Sequence, residues 1–310
     1  MLGQLTTPVV LIIFNRPEHT ARVFKQIALA RPEQLFIIGD GPRQNHPEDI
    51  RLVQDCREIV SGVDWDCEVI SNFAPKNMGC RDRVSSGLDW VFSLTEEAII
   101  LEDDCLPSRD FFTFTSEMLA KYRSDPQVGS ISGTNPFTSS KHETESYLFS
   151  VFPAVWGWAT WARVWRKYDS AIEDWGELRN SGLTERMLQT ENGVRFWKQA
   201  LDSVRDGQVD TWDFQFTYMS WKSDLLSITP TRNLVSNIGF GVGATHTLDM
   251  SSGFANQAIQ EMPHPFTHPN LVKRHLEFDL ALESLKFSRS LFNHLALKFF
   301  QSLPVSMQHA

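Results

Sequence analysis

Short runs of uninterrupted apolar residues alternate along the chain with longer stretches in which apolar positions recur every three or four residues. The first kind has the length and β-branched content of buried strands, the second the period of amphipathic helices. Pro8–Asn15 reads as a strand, and Pro17 opens a helix whose inward positions are Val23, Phe24, Ile27 and Ala28. Leu35–Gly41 is a second strand, closed by a Gly39-Asp40-Gly41-Pro42 turn. A helix over 48–60 follows, with Ile50, Val53 and Ile59 facing in. Then come a strand over Glu68–Phe73, a helix from Arg81 to Leu94 carrying Val84, Leu88 and Phe92, and a strand over Ala98–Leu101. Asp110–Arg123 reads as a further helix and Val128–Ser132 as a further strand. Strands alternating with helices predict a right-handed, three-layer α/β/α sandwich on a mostly parallel central sheet.

The strand over 98–101 ends in three consecutive carboxylates, Glu102, Asp103 and Asp104. Open α/β sheets bind ligands at the C-terminal ends of their strands, so the acids fall where a ligand is expected. Like charges this close repel, a cost that makes sense if a cation sits among them. With only oxygen ligands on offer, that cation is hard: Mg²⁺ or Mn²⁺. A capping turn before the next helix accounts for the same residues without a metal. Arg16 follows the first strand and Asp40 the second, on the same rim. Arg16 is placed to meet a phosphate and Asp40 to accept hydrogen bonds from a nucleobase or ribose; a surface ion pair and a turn residue are the plainer readings.

Net charge narrows the ligand. At −9 over 310 residues the chain lacks the basic face a nucleic-acid partner requires. The four cysteines form no Cys-x-x-Cys pair and read as reduced thiols of a cytosolic protein.

After Pro153 the texture changes. Trp156, Trp158, Trp161, Trp165 and Trp175 lie in one segment, half of the ten tryptophans. Indole rings suit either the C–H faces of a sugar or a core beneath the sheet. Asp210 and Asp213 sit among aromatics around Trp212; Asp210 suits the N-cap of a helix over 212–221, leaving Asp213 as the freer acid and a candidate general base. A loop with Gly239, Gly241 and Gly243 ends near His246, a candidate metal ligand, pyrophosphate contact or structural histidine.

Ser251–Pro269 reads as an extended connection. Leu285, Phe292, Leu295, Phe299 and Leu303 then recur at helical spacing beside Lys286, Arg289 and Lys298. Residues 285–303 could lie on an anionic membrane surface or pack on the main domain or a second subunit.

Taken in order, Phe14-Asn15-Arg16, Gly39-Asp40-Gly41, Leu101-Glu102-Asp103-Asp104, Phe152-Pro153 with Gly157-Trp158, the Asp210–Asp213 acids and the glycine-rich run into His246 resemble the GT-A fold nucleotide-sugar glycosyltransferases. The likeness is to the N-acetylglucosaminyltransferase I type and its bacterial relatives, and runs from Pro8 to His246. It implies a Rossmann-like GT-A domain over residues 1–250, with a nucleotide-sugar half (1–106) and an acceptor half (107–250), then a helical C-terminal extension (251–310). By the same resemblance Arg16 meets the donor diphosphate and Asp40 the base, which would be uracil. Glu102 and Asp103 hold the ribose and sugar side, with Arg81 counted among the nucleotide-sugar contacts. Asp104, with His246 nearby, binds Mn²⁺ or Mg²⁺, and Asp213 is the catalytic base. Trp156, Trp158 and Trp212 are the candidates for contact with a glycan or lipid-linked acceptor. The family's Golgi members carry a membrane anchor that this chain is expected to lack, which implies a cytoplasmic, bacterial role. A sugar-phosphate nucleotidyltransferase would share the sheet and metal, but would place a glycine-rich basic loop after strand one; Phe14-Asn15-Arg16-Pro17 is not one. A non-catalytic carbohydrate-binding module could use the tryptophans without needing the clustered acids.

Overall fold

The structure is a computed structural model, and it describes residues 4–137, 144–240 and 256–287. Four βα units come first: β1 (Val9–Ile13), α1 (Pro17–Ala30), β2 (Gln34–Gly39), α2 (Pro47–Ser61), β3 (Glu68–Phe73), α3 (Cys80–Leu94), β4 (Glu97–Glu102), β5 (Cys105–Pro107) and α4 (Arg109–Tyr122). The second half adds β6 (Val128–Ser132), β7 (Tyr147–Ser150), β8 (Trp158–Trp161), α5 (Ala162–Trp165), α6 (Trp175–Leu178), α7 (Leu183–Met187), α8 (Glu191–Arg205), α9 (Asp213–Lys222), β9 (Leu226–Pro230), β10 (Val235–Asn237) and α10 (Leu276–Phe287).

Eight strands form one sheet in the order β3-β2-β1-β4-β8-β6-β9-β7. β1 to β4 are parallel, whereas β8 runs antiparallel between β4 and β6, and β7 antiparallel on β9. The expected α/β architecture with a mostly parallel central sheet and helices on both faces is therefore what the chain builds, in a Rossmann-like arrangement. Every residue of β1 is buried, as a strand covered on both faces requires, while the edge strand β3 is largely exposed. α1 packs on α2 and α4, and α3 packs with α5, so helices cover both faces.

Register makes the site. Ile12 lies opposite Glu102 on β4, and Ile13 opposite Gly39 on β2. The order of strands reverses between β1 and β4, and Phe14–Arg16, Asp40 and Glu102–Asp104 leave the sheet together at that switch point. β5 and β10 pair as a small separate ribbon, Cys105 opposite Asn237, which draws the segment from Val235 to Gly239 over the acids.

One helix has a different phase from that expected. The buried face of α2 is Asp49, Val53, Cys56 and Val60, and Ile50 is 66 % exposed. Four positions at helical spacing set the inward stripe, and Asp49 takes the place assigned to Ile50 because it is an internal acceptor for Arg43.

A second apolar core forms under the helices of the second half, around Trp175, Trp197, Leu201, Tyr218 and Trp221. α10 closes it with Leu282 and Phe287 and with two fully buried carboxylates. Asp279 accepts from Ser150 Oγ at 2.6 Å and from Arg274 Nε at 2.6 Å. Glu283 accepts from the backbone N–H groups of Gln189 and Thr190 at 2.8 and 2.9 Å and from Thr190 Oγ1 at 2.8 Å, at the start of α8. The helix expected over 285–303 thus begins earlier, at Leu276, and its described part packs inward; the remainder of that stretch lies outside the described residues. No helix among the described residues is long and apolar enough to cross a membrane.

Replacing Glu283 removes the acceptor of two part-buried backbone donors and of Thr190 Oγ1, which costs about 1–3 kcal/mol. Glu283→Ala should lower the urea midpoint accordingly at unchanged m-value, whereas Glu277→Ala, on the exposed side of α10, should leave it in place.

Candidate active site

The switch point opens into a cavity of about 410 Å³ lined from both halves of the chain: Arg16, Asp40 and Glu102–Asp104 on one side, Trp156 and Asp210–Asp213 on the other. The acid at the end of β2 is firmly held. Asp40 accepts from Gly41 N at 2.8 Å, Asn77 Nδ2 at 2.8 Å and Met78 N at 3.0 Å. Burial raises its pKa against these hydrogen bonds and the charge of Arg83. Gly41 is required here, because a Cβ would lie 2.5 Å from the backbone of Lys76.

Next to Asp40 lies a feature the sequence reading missed. Asp49 is fully buried and accepts from Arg43 Nε at 2.7 Å, Arg43 Nη2 at 3.0 Å and Asn15 Nδ2 at 2.8 Å. The Arg43 guanidinium is thereby held over the Phe14 ring, 5.5 Å from its centroid, and holds Asp49 down to about 2. The available signal was a basic residue two positions past the Gly39–Gly41 turn, on the same rim.

The three acids are not equivalent. Asp103 is buried and accepts from Phe14 N at 3.2 Å, which ties it to the end of β1. Asp104 faces the cavity and accepts from Arg16 Nη1 at 2.9 Å; the same nitrogen is 4.0 Å from Asp103. Glu102 and Asp103 are both pushed well above the ordinary carboxylate range, first by burial and then by the neighbouring acids, with Arg16 opposing. Arg16 therefore compensates only part of the charge. Among the described residues no three metal-ligating side chains form a closed set. An oxygen-only donor group, with Asp104 beside Glu102 and Asp103 in the cavity lining, nevertheless fits a hard divalent cation, which takes one or two carboxylates and completes its shell with water and phosphate oxygens. His246 and the glycines at 241 and 243 lie outside the described residues.

Across the cavity Asp213 opens α9 and accepts a short hydrogen bond from Thr211 Oγ1. Its charge reaches Glu102 on one side. On the other it reaches Lys286 of α10, whose pKa burial lowers while Asp213 holds it up. Asp210 does not cap α9 as expected. Its two oxygens accept from Cys80 N and Arg81 N, each at 2.9 Å, so it caps α3 instead. Arg81 contributes that backbone N–H, while its guanidinium pairs with Asp82 at 2.8 Å and does not line the cavity.

The tryptophans divide in two. Trp156 and Trp212 line the cavity, Trp156 beside Phe240 with ring centroids 5.6 Å apart. Trp158 corrects the expectation: it is 1 % exposed in β8, does not line the cavity and stacks on Trp212 from below at 5.5 Å. β8 is paired on both edges and covered on both faces, so all four of its residues are buried, and Trp158 packs in that core with Trp165 and Phe216.

No protein-family model and no curated protein matches the chain. Among solved structures it is similar to the mannosyltransferase PcManGT from Pyrobaculum calidifontis in complex with GDP-Man and Mn²⁺. The identity is 11 %, over 72 % of this chain and 70 % of that one, with a TM-score of 0.40. It is also similar to a UDP-glucose pyrophosphorylase complexed with UDP-glucose, at 10 % identity over 73 % of this chain and 90 % of that one, with a TM-score of 0.37. Likeness of this extent assigns neither reaction nor substrate to this chain.

The raised carboxyls carry a signed consequence. Their folded pKa values lie above the unfolded ones, so the native state binds more protons in the window between, and stability falls as pH rises above the ordinary carboxylate range of about 4. Urea titrations in EDTA should show wild type weakening between about pH 5 and pH 8, and Glu102→Gln should flatten that decline. A pH-independent wild type, or a variant with the same slope, would contradict the charge crowding.

Proposed function

We propose that the protein is a glycosyltransferase that moves a sugar from a nucleoside-diphosphate sugar to an acceptor hydroxyl. The observation that carries this reading is the arrangement of the cavity. A group of acids and Arg16 stands at the switch point of a parallel sheet, and a separate carboxylate, Asp213, faces them from the other half of the chain. The motif resemblance adds that the donor is uridine-linked and the acceptor a glycan or lipid-linked sugar.

Each residue then has a task. Asp40 fixes the loops around the base, and Arg43 over Phe14 forms one wall there. Glu102 and Asp103 face the ribose and sugar. Asp104 would hold Mn²⁺ or Mg²⁺, which when bound offsets charge developing on the leaving diphosphate. Arg16 serves the same charge with its guanidinium, shared between Asp104 and a phosphate. Asp213 takes the proton from the acceptor hydroxyl, a contribution of roughly 10²–10⁴-fold. One carboxylate acting as base, with no second one among the described residues assigned as nucleophile, implies a single displacement with inversion at the anomeric carbon. Trp156 and Trp212 offer aromatic surface to the acceptor. The nucleotidyltransferase alternative gains nothing from the site, since the segment after β1 presents Arg16 in place of a glycine-rich basic loop.

Thermal-shift measurements with UDP, GDP, dTDP and CMP, each with and without Mn²⁺, test the reading. One nucleotide at about a hundred times its dissociation constant should stabilise wild type by ~2.7 kcal/mol in a metal-dependent way, and Asp104→Ala should lose that dependence. Asp213→Asn should retain the nucleotide shift and lose turnover by at least about 10²-fold. No shift with any nucleotide, or near-normal turnover in Asp213→Asn, would remove the assignment.

A further inference from the structure

Asp210 stands three residues before Asp213 and makes contacts that a surface loop residue has no need of. Its two carboxylate oxygens accept from Cys80 N and Arg81 N at 2.9 Å each, across a sequence separation of 130 residues in the first case. Those N–H groups open α3, a 15-residue helix whose N-terminal end favours a negative charge. The fit is close. Gly79 before them has φ +82°, and a Cβ there would lie 2.7 Å from Asp210 Oδ2, so only glycine permits both the backbone and the contact.

The loop that leads into α3 is clasped from two sides. Asp40, from the nucleotide end, takes Asn77 Nδ2 and Met78 N, and Asp210, from the opposite half, takes the next two amides but one. On the far side of Asp210 the turn into α9 is braced in its own right. Gln215 Nε2 donates to Thr211 O at 2.6 Å, Tyr168 Oη donates to Trp212 O at 3.2 Å, and Thr211 Oγ1 donates to Asp213 Oδ1. A braced turn moves as a unit with whatever anchors it.

Resting on the glycosyltransferase reading above, we propose that Asp210 is a positioning residue for Asp213, anchoring the Asp210–Asp213 turn to α3 so that the base keeps a fixed place relative to the nucleotide end of the cavity. The same contact commits the amides of Cys80 and Arg81 to a protein carboxylate, which leaves the donor diphosphate to Arg16 and the cation. A general base displaced by about 1 Å loses on the order of 10²-fold in rate, while nucleotide binding across the cavity does not depend on it.

The test compares wild type, Asp210→Ala and Asp210→Asn, the last nearly isosteric and keeping one acceptor. Three readouts are taken: amide exchange at Cys80 and Arg81, affinity for whichever of UDP, GDP, dTDP or CMP stabilises wild type, and kcat and KM for hydrolysis of the matching nucleotide sugar. Asp210→Ala should speed exchange at both amides, leave nucleotide affinity and donor KM as in wild type, and lower kcat by about 10²-fold; Asp210→Asn should fall between. Unchanged kcat despite faster exchange would overturn the proposal. So would a parallel loss of kcat and nucleotide affinity with Asn no better than Ala, which marks a structural clip alone. A wild type that neither binds nor turns over any nucleotide sugar would instead remove the transferase reading, a failure visible before any variant is made.

Discussion

Crowded negative charge at the end of β4 is the constraint around which the rest of the molecule is arranged. Glu102, Asp103 and Asp104 leave a strand whose apolar residues Ala98 to Leu101 are wholly buried, so water does little to screen the acids from one another. Arg16 reaches them because the register of β1 against β4 ends both strands at one level, and it lies closer to Asp104 than to Asp103. A cluster of this kind costs stability, and under the proposed reading a cation and a phosphate-bearing ligand would complete its charge.

The opposite half is organised to face that cluster. β8 inserts antiparallel between β4 and β6, and the tryptophans of its segment split between core and cavity: Trp158 is sealed beneath, and Trp156 reaches the cavity, joined there by Trp212 from the turn into α9. α10 then closes the helical side through Asp279 and Glu283. Both are fully buried, and both are satisfied by the chain itself. Buried acids thus appear in two roles. Those of α10 meet donors and hold helices together, whereas Glu102 and Asp103 are raised by the neighbouring acids as well as by burial.

How much of this could be read from the sequence differs by level. β3 and β6 fall at their expected bounds, and the other elements expected before β6 within two residues or so, because their periods are strong and their stops are glycines and prolines; β5, three residues long, was not expected. The rim acids and Arg16 were legible because strand ends in a parallel sheet share one edge. Partners across the fold were not. That Asp210 caps α3 rather than α9, that Asp49 holds Arg43, and that Ile50 turns outward depend on contacts between distant segments. Trp158 shows the same limit: both faces of the four-residue strand that carries it are covered, so Trp158 and Trp161 are buried alike, and a strand this short has too little pattern to announce its bounds.

The central claim is that the cavity cleaves a nucleoside-diphosphate sugar at the anomeric bond and not within the pyrophosphate. ³¹P NMR of the protein incubated with UDP- and GDP-sugars and Mn²⁺ separates the two directly. Growth of the free nucleoside diphosphate signals, unaffected by added pyrophosphate, is the predicted result. Formation of nucleoside triphosphate and sugar phosphate when pyrophosphate is supplied would contradict it and make the protein a nucleotidyltransferase.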